Sequence, residues 1–158
     1  LVLFVTGDCV KAGRFSASYA RKHGHYVFNH SVSHPNLAKL SKAKTKAQLK
    51  KPGVVTSYGR PPYGSFNATT EQAYRAVKMK IWTWTYDTDD WRGWSQATIV
   101  SRVVENATAD STILMHMQHN AFNPDALAKM VKGLAGRGLE VCTNHPGTTP
   151  KAPTALRC

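Results

Sequence analysis

Short apolar runs alternate with segments of helical periodicity along the chain. Leu1–Val5 and Tyr26–Phe28 are rich in β-branched and aromatic residues, which is typical of buried strands. Between them, apolar side chains recur at helical spacing from about Lys11 to His23, and Gly24 stands where a helix-terminating glycine is expected. The pattern therefore predicts a strand, a helix and a second strand, after which the chain enters a loop that begins at His30.

The same alternation continues to the end of the chain, and it predicts a parallel α/β arrangement. Polar and charged motifs fall repeatedly after the predicted strands, and in a barrel of parallel strands those carboxyl ends form the active-site face. The predicted helices cover residues 40–50, 70–77, 96–106 and 125–134, and the predicted strands begin at Val54 or cover residues 81–86, 112–117 and 139–143.

The length of 158 residues fits one domain, with a core over residues 1–145 and a tail over 146–158 that is rich in Pro and Thr. No apolar run is long enough to span a bilayer, so we expect no membrane insertion. Leu1–Val5 has no basic stretch before it and is too short for the apolar region of a signal peptide, so we interpret it as a strand.

The net charge of +12 is the most unusual bulk property, and much of it lies between Lys39 and Lys51, where there is no acidic residue. Such a charge fits attraction to nucleic acid, an anionic membrane or an acidic polysaccharide, or simply a soluble positive surface. No nucleic-acid-binding module accompanies it, and aromatic residues are not interleaved with the lysines. We therefore expect neither nucleic acid nor a membrane as a partner.

The three cysteines, Cys9, Cys142 and Cys158, include no close pair of the metal-binding type. A bridge between Cys142 and Cys158 is one option, but spacing alone does not establish it. The sequons at Asn67 and Asn106 permit glycosylation. Together these features are consistent with an exterior location.

His30 and His34 follow the second predicted strand with three residues between them. Imidazole nitrogens are common ligands of zinc and similar divalent ions, so the two side chains could share a metal if the backbone turns between them. A pair of histidines with purely structural roles is at least as common at this spacing.

Four segments in order carry a resemblance to a known family. They are Asn29–Leu37 with its two histidines, Arg60–Gly64 (Arg-Pro-Pro-Tyr-Gly), Asp87–Trp91 (Asp-Thr-Asp-Asp-Trp) and Ile113–His116 (Ile-Leu-Met-His). From Leu1 to about Thr143 the chain resembles the NodB-homology polysaccharide deacetylases, carbohydrate esterase family four. The resemblance implies a distorted (β/α) barrel that lacks its first strand and helix here.

The resemblance also implies a metal centre. His30 and His34 would ligate zinc, or another divalent cation such as cobalt, which polarises the acetyl carbonyl and activates a water. Tyr63 would offer its backbone N–H to the developing oxyanion.

The remaining implied roles concern proton transfer and the acetyl pocket. His116 would be the general acid, held in the right protonation state by Asp90. Arg60 would orient a catalytic aspartate and lower its pKa. Trp91 and Leu114 would wall a small pocket for the acetyl methyl.

Each role has a structural alternative. Arg60 could be an ion-pair residue, Trp91 an ordinary core aromatic, and Asp90 a turn or capping residue. The aromatic side chains of Trp82, Trp84 and Trp94 could extend a glycan groove, although at least one is expected in the core, because the predicted strand over residues 81–86 buries one face.

The family's first motif, Thr-Phe-Asp-Asp-Gly, has no counterpart in the chain, and it supplies the catalytic base and the third metal ligand. Asp8 corresponds to neither aspartate. A fragment or incomplete sequence, a natural pseudoenzyme, or an acid that substitutes in space would each explain this, and we prefer the first.

The resemblance implies a hydrolase that removes acetyl groups from a polysaccharide such as xylan, chitin or peptidoglycan. The alternative is a catalytically impaired carbohydrate-binding relative on the same fold. We expect a monomer that acts on an acetylated polysaccharide and is secreted, either extracellular or in the cell wall.

Overall fold

The computed structural model describes residues 1–50, 57–144 and 156–157. The chain divides into two compact units, one formed by Leu1–Thr83 with Thr143–Arg157 and the other by Trp84–Cys142. Each unit is described by itself. The expectation of a single domain over residues 1–158 stays a prediction.

The first unit is built on a parallel four-stranded sheet in the order β1-β2-β3-β4. Its strands are β1 (Val2–Val5), β2 (Tyr26–Asn29), β3 (Tyr58–Gly59) and β4 (Lys80–Ile81). The longest pairing joins β1 to β2, with Val2 opposite Tyr26 and Val5 opposite Asn29. Every residue of β2 is buried, as expected for a strand inside a parallel sheet, so the chain leaves the sheet directly into His30.

The helices of the first unit are α1 (Gly7–Lys11), α2 (Ala17–Lys22), α3 (Lys42–Lys50) and α4 (Ala68–Ala76). The prediction of one helix from Lys11 to His23 is wrong. Gly13 adopts a left-handed conformation with φ of 68°, and the Ser16 hydroxyl accepts a hydrogen bond from the amide of Tyr19 at the start of α2. A left-handed residue followed by a new N-cap divides the segment into two short helices.

An aromatic cluster fills one face of the first sheet. Phe28 and Tyr58 are buried there, and the Trp82 ring packs 5.8 Å and 5.7 Å from their respective ring centroids. The expectation that a tryptophan of this segment belongs to the core is therefore confirmed for Trp82.

The second unit contains the parallel pair β5 (Tyr86–Asp87) and β6 (Ile113–Leu114) with two helices, α5 (Gln96–Asn106) and α6 (Pro124–Gly136). The bounds of α5 agree with the sequence prediction, and Ser95 caps its first turn. The helices pack through Ile99 and Val103 of α5 and Met130 and Leu134 of α6, which lie in one buried cluster.

Three strand predictions need correction. The predicted strand over residues 81–86 is two strands in separate sheets, because β4 ends at Ile81 and β5 begins at Tyr86. The predicted strand over residues 112–117 shortens to β6. Of residues 139–143 only Thr143 is extended, in the antiparallel pair β7 (Thr143–Asn144) and β8 (Leu156–Arg157). Apolar character predicted buried strands here, but among the described side chains of these segments only Leu114 is buried, and the pattern did not mark where the pairing stops.

The strand predicted at Val54 and most of the predicted tail lie outside the described residues. Cys142 is disulfide-bonded and Cys9 is a free thiol, whereas Cys158, the suggested partner, also lies outside them. None of the helices in the described ranges has the length and apolar character needed to cross a bilayer.

Gly133 of α6 packs against Val104 of α5. A Cβ atom at this position would collide with Cγ2 of Val104 and lie 3.0 Å from its Cγ1. We expect Gly133→Ala to lower the free energy of unfolding by about 1–3 kcal/mol, because overpacking outweighs the gain in helix propensity. Urea denaturation measures the change.

Gly136, the last residue of α6, provides the matched control, because a Cβ there would meet no atom within 4 Å. Gly136→Ala should leave stability unchanged or raise it by about 0.5–1 kcal/mol. Adding Val104→Ala to the Gly133→Ala variant should relieve the collision. Equal effects of the two glycine substitutions would contradict close packing at Gly133.

Candidate active site

The histidine segment follows β2 and turns sharply. Ser31 and His34 both have positive φ, at 65° and 59° respectively, a conformation that non-glycine residues seldom adopt. The rings of His30 and His34 meet edge to face with their centroids 4.8 Å apart. The backbone turn that the sequence prediction required is present, and it brings the two imidazoles together.

Asn29 and Ser31, both buried, hold this turn in place. The Asn29 side-chain oxygen accepts from the Ser31 amide at 2.8 Å, and its amide group donates to the carbonyl of Leu49 at 3.2 Å. The Ser31 hydroxyl then accepts from the amide of His34 at 3.1 Å. Because each polar group is satisfied inside the fold, the left-handed residues are supported by the surrounding structure.

Helix α3 supports the same segment from the other side. The Gln48 side-chain oxygen accepts from the amides of Val32 and Ser33 at 3.0 and 3.1 Å. The histidine segment is therefore attached both to β2 and to α3.

The Nδ1 atom of His30 lies 2.7 Å from the carbonyl oxygen of Arg60. A carbonyl only accepts, so Nδ1 carries the proton and the lone pair of the neutral ring is on Nε2. A backbone carbonyl that fixes the tautomer in this way is usual for metal-ligating histidines. The pair of His30 and His34 therefore fits the imidazole part of a zinc site. Within residues 1–50, 57–144 and 156–157 there is no group of three or more His, Cys, Asp or Glu side chains placed to hold a metal.

Tyr63 lies next to the histidines. Its ring stands edge to face with the ring of His34 at a centroid distance of 4.8 Å, and its φ is 61°. It sits in the single turn Pro62–Gly64, where the proline restricts the backbone. The role of its backbone N–H toward an oxyanion stays a prediction.

Arg60 is buried beneath this turn. Its guanidinium donates to the carbonyls of Trp82 and Thr83 at 3.1 and 2.9 Å, and its Cζ lies 4.0 Å from the ring centroid of Phe4. Burial lowers its pKa to about 10, so the side chain remains a cation at neutral pH. These contacts make Arg60 part of the packing of the first unit, and its implied action on an aspartate stays a prediction.

In the second unit, Asp90 binds His116 twice. Its Oδ1 lies 2.7 Å from the ring Nδ1 of His116, and its Oδ2 accepts from the backbone N–H of the same residue, also at 2.7 Å. Asp90 is 3% exposed. One buried carboxylate therefore fixes both the main chain and the ring of His116, and Asp90 also begins the single turn Asp90–Arg92, so the alternative of a turn or capping residue stays open.

Burial by itself would raise the pKa of Asp90, but the hydrogen bonds from the ring and backbone of His116 oppose it, as do the charges of His116 and His119. The result is a pKa below the ordinary value. Asp90 is therefore a carboxylate at neutral pH, Nδ1 of His116 carries a proton, and Nε2 is the atom that can exchange one.

This shift predicts how stability depends on pH. Because the pKa of Asp90 is lower in the folded state, its stabilising contribution is complete above the pKa of an unfolded aspartate, about 3.9, and is lost as the pH falls through the folded value. We expect the difference in unfolding free energy between the wild type and Asp90→Asn to be largest above pH of about 5 and to shrink toward pH 3.

Asp125→Asn is the control for this measurement. Its carboxylate also has a lowered pKa, through hydrogen bonds and charge from Lys129 and a bond from Gln96, but it is fully exposed. Solvent screening should keep its effect smaller than that of Asp90. A difference for Asp90→Asn that stays constant between pH 3 and pH 7 would contradict the stabilised carboxylate.

The two predicted pocket residues differ in exposure. Leu114 is buried, and its carbonyl accepts a hydrogen bond from the buried Thr88 hydroxyl at 2.9 Å. Trp91 is 51% exposed, and the Arg92 guanidinium lies 4.9 Å from its ring centroid. The alternative of Trp91 as an ordinary core aromatic is wrong, whereas the acetyl-pocket role of both residues stays a prediction.

Sequence reasoning missed the residues that support the candidate groups. The Asn29 side chain accepts a hydrogen bond from the amide of Ser31, two residues later, which is the pattern of an Asx turn. The local sequence could therefore have indicated the role of Asn29. Gln48 and Thr88 act across 16 and 26 residues of sequence, and no local pattern reveals them. His119, which had no assigned role, places its ring 5.8 Å from that of His116.

The family model described as polysaccharide deacetylase matches residues 1–82, about half of the chain. The chain belongs to the polysaccharide deacetylase family. The predicted family is thereby confirmed, including the histidine and Arg-Pro-Pro-Tyr-Gly segments that lie inside the match.

Among curated proteins, the chain is 34% identical over 136 residues to a peptidoglycan-N-acetylglucosamine deacetylase of Bacillus cereus, which covers 76% of this chain and 48% of that protein. The chain thus spans about half the length of that relative.

Solved structures agree with the family. A family 4 carbohydrate esterase from Streptomyces lividans, in complex with acetate, superimposes with a TM-score of 0.80 at 24% identity over 99% of this chain and 82% of that one. A family 4 pseudoenzyme from Bacillus anthracis gives 0.79 at 28% identity over 89% of this chain and 52% of that one. The predicted fold class, the α/β fold of these deacetylases, is confirmed.

Proposed function

We propose that this polysaccharide deacetylase family chain hydrolyses acetyl groups on a polysaccharide in a metal-dependent reaction. The observation that carries the proposal is the double hydrogen bond from His116 to the buried Asp90 carboxylate, at 2.7 Å for each contact. A carboxylate on Nδ1 prepares Nε2 of an imidazole for proton transfer, which is what departure of an amine or alkoxide requires.

In this mechanism His30 and His34 would hold zinc, or another divalent cation such as cobalt. The bound metal would polarise the acetyl carbonyl and acidify a water. His30 is held in the ligating tautomer by the Arg60 carbonyl. His116 donates the Nε2 proton to the leaving nitrogen or oxygen as the acyl bond breaks, the attacking water loses its proton to solvent, and Asp90 stabilises the charged ring before the transfer from His116.

Three further residues have roles in this proposal. Tyr63 offers its backbone N–H to the oxyanion, and a fixed N–H dipole stabilises charge that develops there. Trp91 and Leu114 contact the acetyl methyl, since apolar side chains suit that group.

We propose peptidoglycan as the first substrate to test, because the relative from B. cereus is a peptidoglycan-N-acetylglucosamine deacetylase. Acetylated xylan and chitin oligosaccharides are the comparison substrates. The protein would act as a monomer outside the cell or in the cell wall, where its substrate is.

Acetate release from these polymers, with zinc, with cobalt and after chelation, tests the proposal. Release that requires the metal supports it. Absence of release from all three polymers at saturating zinc would reject catalysis by this chain.

A catalytically impaired carbohydrate-binding protein is the second candidate. The similarity to the B. anthracis pseudoenzyme favours it, and so does the fact that the part of the chain described by the structure supplies two metal-site histidines without a third grouped ligand. It predicts zinc and oligosaccharide binding without acetate release, so the same samples distinguish it from the first candidate.

A further inference from the structure

The net positive charge of the protein comes from the first half of the chain. Residues 1–83 contain 14 of the 21 basic residues and two of the nine acidic ones, whereas residues 84–158 contain seven of each. Between Asp8 and Glu71 there is no acidic residue in 62 positions. Residues 1–83, the larger part of the first unit, are therefore strongly cationic, while the charges of residues 84–158 balance.

Helix α3 and the turn before it hold the densest part of this charge. Lys42, Lys44 and Lys50 are exposed on α3, and Lys39 is exposed in the turn. Across the described residues none of these lysines forms an ion pair. Two helices of the fold hold a cation paired with an acid one turn away, Glu71–Arg75 in α4 and Asp125–Lys129 in α6, whereas α3 contains no acidic residue. A helix without such compensation retains mutual repulsion, which an external polyanion would relieve.

The same helix lies against the candidate metal site. Gln48 of α3 bonds the amides of Val32 and Ser33, between the two histidines, and Leu49 of α3 accepts from Asn29. A polymer bound along α3 therefore passes close to the histidine segment.

The composition of the segment indicates the class of polyanion. Residues 39–50 contain lysine but neither arginine nor an aromatic residue. Proteins bind single-stranded nucleic acids with aromatic side chains that stack on the bases, and they bind phosphate preferentially with arginine. Residues 39–50 offer neither side chain, so they suit neither ligand well. Ammonium groups act as separate point charges. Lysines at four-residue intervals in an α-helix are separated by ~6 Å along its axis, which suits charges repeated along a sugar chain.

We propose that the lysine face of α3, formed by the exposed Lys42 and Lys50 and the half-buried Lys46 between them, binds a polysaccharide that carries carboxylate groups. The inference rests on the proposed function and deepens it: the acetylated substrate is acidic, and α3 binds its charged sugars beside the site of hydrolysis.

The test measures binding of polygalacturonate to the full chain by isothermal titration calorimetry at several salt concentrations. The α3 variant carries Lys42→Gln, Lys46→Gln and Lys50→Gln. The control variant carries Lys11→Gln, Lys22→Gln and Lys132→Gln, which removes the same charge from exposed positions elsewhere. We expect the α3 variant to lose about tenfold in affinity at low salt and to show a flatter salt dependence, and the control variant to lose less than about threefold.

Four results would overturn the proposal: no binding of polygalacturonate by the wild type at low salt, equal losses in both variants, tighter binding of inorganic polyphosphate, or tighter binding of single-stranded DNA. Zinc affinity, measured on the same samples, should be unchanged in the α3 variant, because no lysine of α3 belongs to the metal site. A wild type that binds polygalacturonate but releases no acetate would reject the proposed catalysis and leave the binding surface standing.

Discussion

Replacement of His30 by alanine is expected to lower the affinity for Zn²⁺ by about 100-fold, since a structural zinc site of four ligands contributes ~10–16 kcal/mol in total. The ring of His30 is fixed by the Arg60 carbonyl at 2.7 Å and meets the ring of His34 at 4.8 Å. Loss of either imidazole therefore leaves the metal one prearranged ligand short. Competition with a chromophoric chelator measures the change, and His34→Ala should give a comparable loss.

His23→Ala is the matched control. His23 is an exposed histidine at the end of α2, and its Nδ1 lies 2.8 Å from the carbonyl oxygen of Tyr19, so it resembles His30 in having a backbone partner. Its removal should leave zinc affinity unchanged. Equal zinc affinity in His30→Ala and the wild type would reject the metal site.

Replacement of His116 by alanine is expected to lower kcat for acetate release by about 10²–10⁴-fold, the range that a positioned general acid contributes. The KM should change much less, because the lost interaction acts on the leaving group in the transition state. Initial rates with acetylated peptidoglycan fragments, at saturating zinc, measure both constants.

His119→Ala controls for the neighbouring charge. Its ring lies 5.8 Å from that of His116 but does not contact the Asp90 carboxylate through any hydrogen bond found in the described residues. We expect kcat to remain within about threefold of wild type, since both hydrogen bonds between His116 and Asp90 remain in this variant. A loss for His119→Ala as large as that for His116→Ala would mean that the proton comes from elsewhere.

The parts that were predictable from sequence share a local origin. The start of α5 at Ser95 follows from a capping residue before an apolar period, and β1 and β2 follow from compact apolar runs. The division of the first predicted helix at Gly13 also has a local cause, but the apolar spacing on either side of it outweighed the glycine in the prediction.

The candidate site was predictable through its residue types and their order, but its geometry was not. The pairing of Asp90 with His116 spans 26 residues, and the support of Val32 by Gln48 spans 16. Such contacts depend on how β5 meets β6 and how α3 packs on the histidine segment. Periodicity reports which face of an element is buried, but it carries no information on which distant polar group lies opposite.

The double role of Asp90 has an evolutionary consequence. Because one buried carboxylate anchors both the backbone and the ring of His116, we expect a mutation that removes it to disturb folding as well as the proposed proton transfer. Selection for a folded protein alone would then retain the pair in a lineage that no longer turns over substrate. A descendant of this kind would retain the Asp90–His116 pair. Recovery of activity would then require changes only at site residues that are not needed for folding.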